Sequence, residues 1–163
     1  MNTKLFIMAV LALLVADAAH AQTEVAKKSG DGYFFAAPGV VTCCGGEGVV
    51  QVGGGGEAEL YKGLGLNADL GYLFPMESVG AGIFTVSVGP SYQFNRTRKT
   101  VPFMTGGASL AFRSDFAGVY HVGGGVIRWF SPRCGLRFEV RDYIPTRNAL
   151  NQLVVFRVGL ALR

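Results

Sequence analysis

The segment Gly135 to Tyr143 reads Gly-Leu-Arg-Phe-Glu-Val-Arg-Asp-Tyr and alternates strictly, with Leu136, Phe138 and Val140 on one side and Arg137, Glu139 and Arg141 on the other. A side-chain period of two belongs to a β-strand and excludes an amphipathic helix. The last long segment repeats it, with Val154, Phe156, Val158, Leu160 and Leu162 opposite Arg157, Gly159 and Ala161. A soluble sandwich and a membrane barrel share this alternation. What separates them is which face meets water.

Six earlier segments fit the same template. Tyr33 to Val41 is the first, interrupted by Pro38. Val49 to Tyr61 sets Val50, Val52, Ala58 and Leu60 against Gln51, Glu57 and Glu59, and Lys62-Gly63 turns the chain. Leu64 to Tyr72 sets leucines against Asn67 and Asp69. Phe84 to Phe94 sets Val86, Val88 and Tyr92 against Thr85, Ser87, Ser91 and Gln93. Val101 to Arg113 and Val119 to Phe130 follow, so that with the last two the chain holds eight strands joined by short connections. That is the meander of an antiparallel up-and-down barrel. The strand lengths suit the ~9–11 residues a tilted strand needs to cross a bilayer. Aromatics gather toward the strand ends, Tyr72, Phe112 and Tyr143 at one rim and Tyr92, Phe94, Trp129 and Phe130 at the other, as girdles would.

Charge placement points to the membrane form. Beyond residue 21 the lysines are Lys27, Lys28, Lys62 and Lys99, all in the N-terminal tail or in expected turns. Soluble sheets carry solvated lysine and glutamate along their outer faces. Charged residues make up 16% of this chain, below the usual ~25%. An all-β protein whose outer face does not meet water accounts for both facts.

The N-terminus reads as an export signal over residues 1–21: Lys4, an apolar stretch from Leu5 to Ala16, and Ala19-His20-Ala21 as the cleavage site. The apolar stretch is too short for a spanning helix, and no later segment is long enough either. No cysteine follows the cleavage site, which argues against a lipid anchor. Residues 22–31 form a polar tail ending in Ser-Gly-Asp-Gly, and 32–163 form the barrel domain.

The remaining motifs carry no chemistry. The glycine runs Gly53 to Gly56 and Gly123 to Gly125 lack a following helix or a Lys-Ser/Thr pair, so they are not phosphate loops. They suit the strong coiling of a small barrel. Cys43 and Cys44 are adjacent and Cys134 stands alone at the opposite end, which gives neither a disulfide framework nor a zinc spacing. His121 is the one histidine after the signal. A Ser-His-Asp arrangement can be drawn with Ser109, Ser114 and Asp115, but a polar lumen histidine is ordinarily just hydrogen-bonded. The expectation is no enzyme, no catalytic residue, no cofactor, no metal and no nucleic-acid partner.

If the apolar faces meet lipid, then Glu57, Glu59, Asp69, Arg137, Glu139, Arg141 and Arg157 point inward, four acids and three bases. Eight strands enclose a space that side chains can fill. These groups are expected to pair and close the barrel. Ile127 falls at a lumen position and Arg128 at a lipid-facing one, both against the pattern.

The segments Gly53 to Ala58, Tyr61 to Gly65, Val101 to Gly107, Leu110 to Arg113, Gly123 to Val126, Trp129-Phe130, Gly135 to Glu139 and Arg157 to Arg163 resemble the small outer-membrane β-barrels of Gram-negative-type envelopes, related in architecture to the OmpA transmembrane domain and OmpX. The resemblance covers nearly all of Val49 to Arg163. It implies an eight-stranded barrel with both termini in the periplasm and does not imply a reaction; the expected partners are outer-membrane lipid and the barrel assembly machinery, with the chain a monomer. It also implies a C-terminal strand read by the barrel assembly machinery, which Gly159, Leu160 and Leu162 fit, although the chain ends in Arg163 where an aromatic is customary. The export signal, the eight alternating segments and the balanced lumen charges together point to a closed outer-membrane barrel, and elimination of the other classes leaves it a structural or surface-interaction role. Alternatives are a narrow porin-like pore, a lipid-modifying envelope enzyme, or a soluble lipocalin-type barrel, which the lysine distribution disfavours.

Overall fold

A computed structural model of the chain describes residues 30–42, 47–113, 116–146 and 152–163. The expected signal peptide, most of the tail, Cys43, Cys44, Ser114 and Asp115 lie outside the described residues. Eight strands follow one another: β1 (Gly30–Val41), β2 (Gly48–Tyr61), β3 (Leu64–Pro75), β4 (Ile83–Gln93), β5 (Thr100–Phe112), β6 (Phe116–Trp129), β7 (Cys134–Pro145) and β8 (Leu153–Leu162). Each pairs antiparallel with the next, and β8 returns to β1 to close the barrel. The fold is the all-β, eight-stranded antiparallel up-and-down barrel that the alternating segments require. A short 3-10 turn, Val79–Ala81, interrupts the β3–β4 connection.

Both ends of the described chain, with turns 62–63, 94–99 and 130–133, lie at one rim, termed here the terminal rim. The facing ends of β1 and β2, β3 and β4, β5 and β6, and β7 and β8 lie at the other, the loop rim. The tightest turn is Lys62-Gly63, with φ 45° and 89°. Positive φ at both central residues matches the twist of the flanking strands.

The strands run further than the alternation alone indicates. β1 begins at Gly30, so Asp31 belongs to the strand and not to the tail; it is buried and stands opposite Glu57. Pro38 does not end β1. Its missing N–H falls on the β8 side, where the ladder steps from Ala36–Val158 to Gly39–Val155, while pairing with β2 continues through Val50.

Burial is inverted relative to a water-soluble protein. Leu70 is 63% exposed and Phe34 67%, and every strand adds apolar side chains to this outer face. Arg141, by contrast, is 0% exposed. Across the outward positions of the strands, charge is confined to Arg128 and Asp142. Arg128 sits at the terminal rim and donates to Thr100 Oγ1. Asp142, unremarked in the alternation, stands between Val122 and Val154 near the loop rim.

An aromatic arc crosses β3 to β6 at the loop rim. Phe74, Tyr72, Phe84, Phe112 and Phe116 follow one another with ring centroids 4.9–6.0 Å apart. Tyr92 and Phe94 meet edge to face at the terminal rim. Two residues expected in these girdles are not there: Tyr143 and Trp129 face the lumen and are buried. They share strand parity with Arg141 and Ile127, and parity decides direction more firmly than nearness to a rim.

The barrel is narrow enough that backbones crowd at the glycines. A Cβ on Gly125 would lie 1.9 Å from the Phe138 carbonyl oxygen, and one on Gly53 would lie 2.8 Å from the Phe35 ring. Outward Gly56 has room, its nearest neighbour being 3.6 Å away. Gly125→Ala is therefore expected to cost about 1–3 kcal/mol through overpacking, while Gly56→Ala stays near neutral. Urea unfolding of the two variants in detergent micelles checks the difference.

Candidate functional site

The lumen is the candidate site, and its side chains come from β7 above all. Inward parity on this strand delivers Arg137, Glu139, Arg141 and Tyr143 in a column. β3 supplies Asn67 and Asp69, β2 supplies Gln51, Glu57 and Glu59, and β8 supplies Arg157. All seven charged residues expected in the lumen are there. The structure adds Asp31, Arg96 and Arg163, giving five carboxylates and five guanidinium groups in ion pairs.

These groups form one connected chain along the barrel. At the terminal rim Arg96 donates to Glu59 at 2.6 Å and to Asp31 at 2.7 Å, and Arg163 donates to Asp31 at 2.9 Å. Gln93 Nε2 donates to Glu57 at 2.8 Å and reaches Asp31 at 3.4 Å. Arg137 lies 3.7 Å from Glu57 and 3.2 Å from Glu139. Arg141 donates to Glu139 at 2.6 Å and to Asp69 at 2.7 Å. Arg157 then contacts Asp69 at 3.3 Å and passes the chain to Gln51 and Tyr143.

Aromatic faces cover the cations. The Arg137 guanidinium lies 3.8 Å from the Phe103 ring centroid and 4.3 Å from that of Tyr33. Arg157 lies 4.0 Å from Phe35, and Arg163 lies 4.2 Å from Trp129. Each contact places a weakly hydrated planar cation on a negative ring face while removing it from water. Val101, Ile127, Val155 and Ala161 fill the gaps between.

The Ser109–His121 pair exists. Ser109 Oγ is 2.8 Å from His121 Nδ1 and 2.8 Å from Ser87 Oγ. Among the described residues no carboxylate hydrogen-bonds His121, and its Nε2 has no partner. Ser87 bonds Ser109 and not the imidazole, and the acid drawn for this arrangement, Asp115, lies outside the described residues. Among the described residues no group of three metal-ligating side chains converges. Cys134 is a free thiol at the start of β7.

Gly159 faces inward, where a Cβ would lie 2.1 Å from the Phe34 carbonyl oxygen, and Leu160 and Leu162 face outward. Arg163, the residue that departs from an aromatic ending, turns back over Trp129.

No family model and no curated protein matches the sequence. Among solved structures, Neisserial surface protein A aligns with a TM-score of 0.62 at 11% identity, over 84% of this chain and 99% of that one. The N-terminal β-barrel domain of Pseudomonas aeruginosa OprF gives 0.62 at 11% identity, over 83% and 98%. Ail, the attachment invasion locus protein of Yersinia pestis, solved with the heparin analogue sucrose octasulfate, gives 0.54 at 10% identity, over 84% and 99%. The chain has the fold of the small eight-stranded outer-membrane barrels. At such identity the likeness is one of fold, and the lumen residues are this chain's own.

Removing one partner from the buried centre leaves charge stranded, whereas the rim pair stays wet. Arg141→Met is expected to destabilise by about 3–5 kcal/mol. Glu59→Gln, whose side chain is 25% exposed, should cost about 0.2–1 kcal/mol. Equilibrium urea unfolding in micelles reads both.

Proposed function

We propose that the protein is a closed outer-membrane β-barrel with a structural or surface-interaction role in the cell envelope. The observation that carries this reading is the buried layer of Arg137, Glu139, Arg141, Asp69 and Arg157, each at most 2–3% exposed. Ion pairs hold every one of these arginines in place, and aromatic faces cover Arg137 and Arg157. An ion would have to break such pairs to pass. The outer face supports the membrane setting: an apolar band on all eight strands, aromatic residues at both rims, and charge only near the rims. Arg128 lies where the cost of a lipid-facing arginine falls to ~0–1 kcal/mol.

In this reading residues 1–21 direct export and are removed, and residues 22–29 lead into β1 on the periplasmic side. The barrel assembly machinery reads β8 through Gly159, Leu160 and Leu162 during insertion. The barrel is a monomer, because its apolar face is continuous around the circumference and leaves no distinct patch for a second copy. The connections at the loop rim are short, which suits contact by the rim itself over a large adhesive surface.

Planar-bilayer reconstitution tests closure. The mature chain should insert without reproducible single-channel steps. Steps of fixed amplitude would instead assign it to narrow-pore transport.

A further inference from the structure

The lumen changes character beneath the loop rim. Val41, Leu73, Ile83, Val119 and Leu153 line a cavity of about 200 Å³ whose floor carries Gln51, Thr85, Ser109 and Tyr143. An apolar collar over a polar floor is the common build of a small-molecule site. It lies on the loop side of the ion-pair layer, so its occupancy does not depend on whether the barrel conducts.

Hydrogen-bond accounting at the floor defines the missing partner. Gln51 Oε1 accepts from Arg157 Nη2 at 3.0 Å, and Gln51 Nε2 donates to Thr85 Oγ1 at 3.0 Å. Thr85 in turn donates to the Gly71 carbonyl at 3.3 Å. The Tyr143 hydroxyl oxygen accepts twice, from Arg157 Nη2 and from Gln51 Nε2. A phenol has two lone pairs and one proton. Both lone pairs are engaged, and among the described residues no acceptor receives the proton. Because one incoming donor is a guanidinium, that O–H is polarised and donates more strongly.

We propose that this cavity binds a small apolar molecule bearing one hydrogen-bond-accepting oxygen, a ketone or aldehyde of aromatic size. The apolar body lies among Leu73, Ile83, Val119 and Leu153, and the oxygen accepts from Tyr143 Oη. The volume agrees, since a dry cavity of ~150 Å³ holds benzene. A hydrocarbon without the oxygen leaves the phenolic proton unpaired and gains only the collar contacts.

The test uses the mature chain in lipid nanodiscs, methyl NMR of its Ile, Leu and Val residues, and acetophenone as the probe, with ethylbenzene as its oxygen-free counterpart. Saturable shifts are expected at the Ile83, Leu73, Val119 and Leu153 methyls, with acetophenone binding at least tenfold tighter than ethylbenzene. Tyr143→Phe should remove that preference. Ala111→Phe, which places a ring in the cavity without touching the floor's hydrogen bonds, should abolish both sets of shifts and serves alone if Tyr143→Phe does not fold. The proposal fails if wild-type shifts do not saturate, if ethylbenzene binds as tightly, or if Ala111→Phe still responds.

Discussion

Arg141, held between Glu139 and Asp69 at the centre of the barrel, is the interaction on which the rest depends. A guanidinium with no exposure is tolerable only if carboxylates reach it directly, and here two do, at 2.6 and 2.7 Å. Those carboxylates need their own further cations, Arg137 and Arg157. The pairing therefore propagates until it reaches water at the rim through Arg96, Glu59 and Arg163. Five acids against five bases leaves no net charge in this column. Balance of that kind makes a charged interior compatible with an outer face whose charge is confined to Arg128 and Asp142 near the rims.

The same constraint explains the backbone. An arginine column from β7 can meet acids from β2 and β3 only across a very narrow lumen. The glycine runs on β2 and β6 provide that narrowness, with Gly53 and Gly55 yielding space to Phe35 and Tyr33 and Gly125 lying against the β7 backbone. Those rings in turn lie on the guanidinium planes of Arg157 and Arg137. Glycines, aromatics and charges are one packing solution.

Much of this was legible in the sequence because parity is absolute once a strand is recognised. Leu136 against Arg137 fixes both faces of β7, and all seven charged lumen residues follow from such alternation. Three others did not. Asp31 hides in a Gly-Asp-Gly stretch that reads as tail, Arg96 lies in a turn where parity has no force, and Arg163 is the last residue. Tyr143 and Trp129 were drawn to the girdles by their nearness to strand ends, although counting in twos from Arg141 and Ile127 places both inside. The cation–aromatic contacts and the Ser109–His121–Ser87 cluster depend on register between strands far apart in sequence, which alternation within one strand does not contain. The apolar mouth arises in the same way, from Val41, Leu73, Ile83, Val119 and Leu153 on five different strands.

The inverted arrangement, lipid outside and charge inside, is the central claim, and refolding the chain from Gln22 to Arg163 tests it most directly. In detergent micelles it should acquire β-type circular dichroism and migrate differently on an SDS gel before and after boiling, as a closed membrane barrel does. Folding to the same β-signal in buffer without detergent would contradict the account, because the outer face would then have to be one that water accepts.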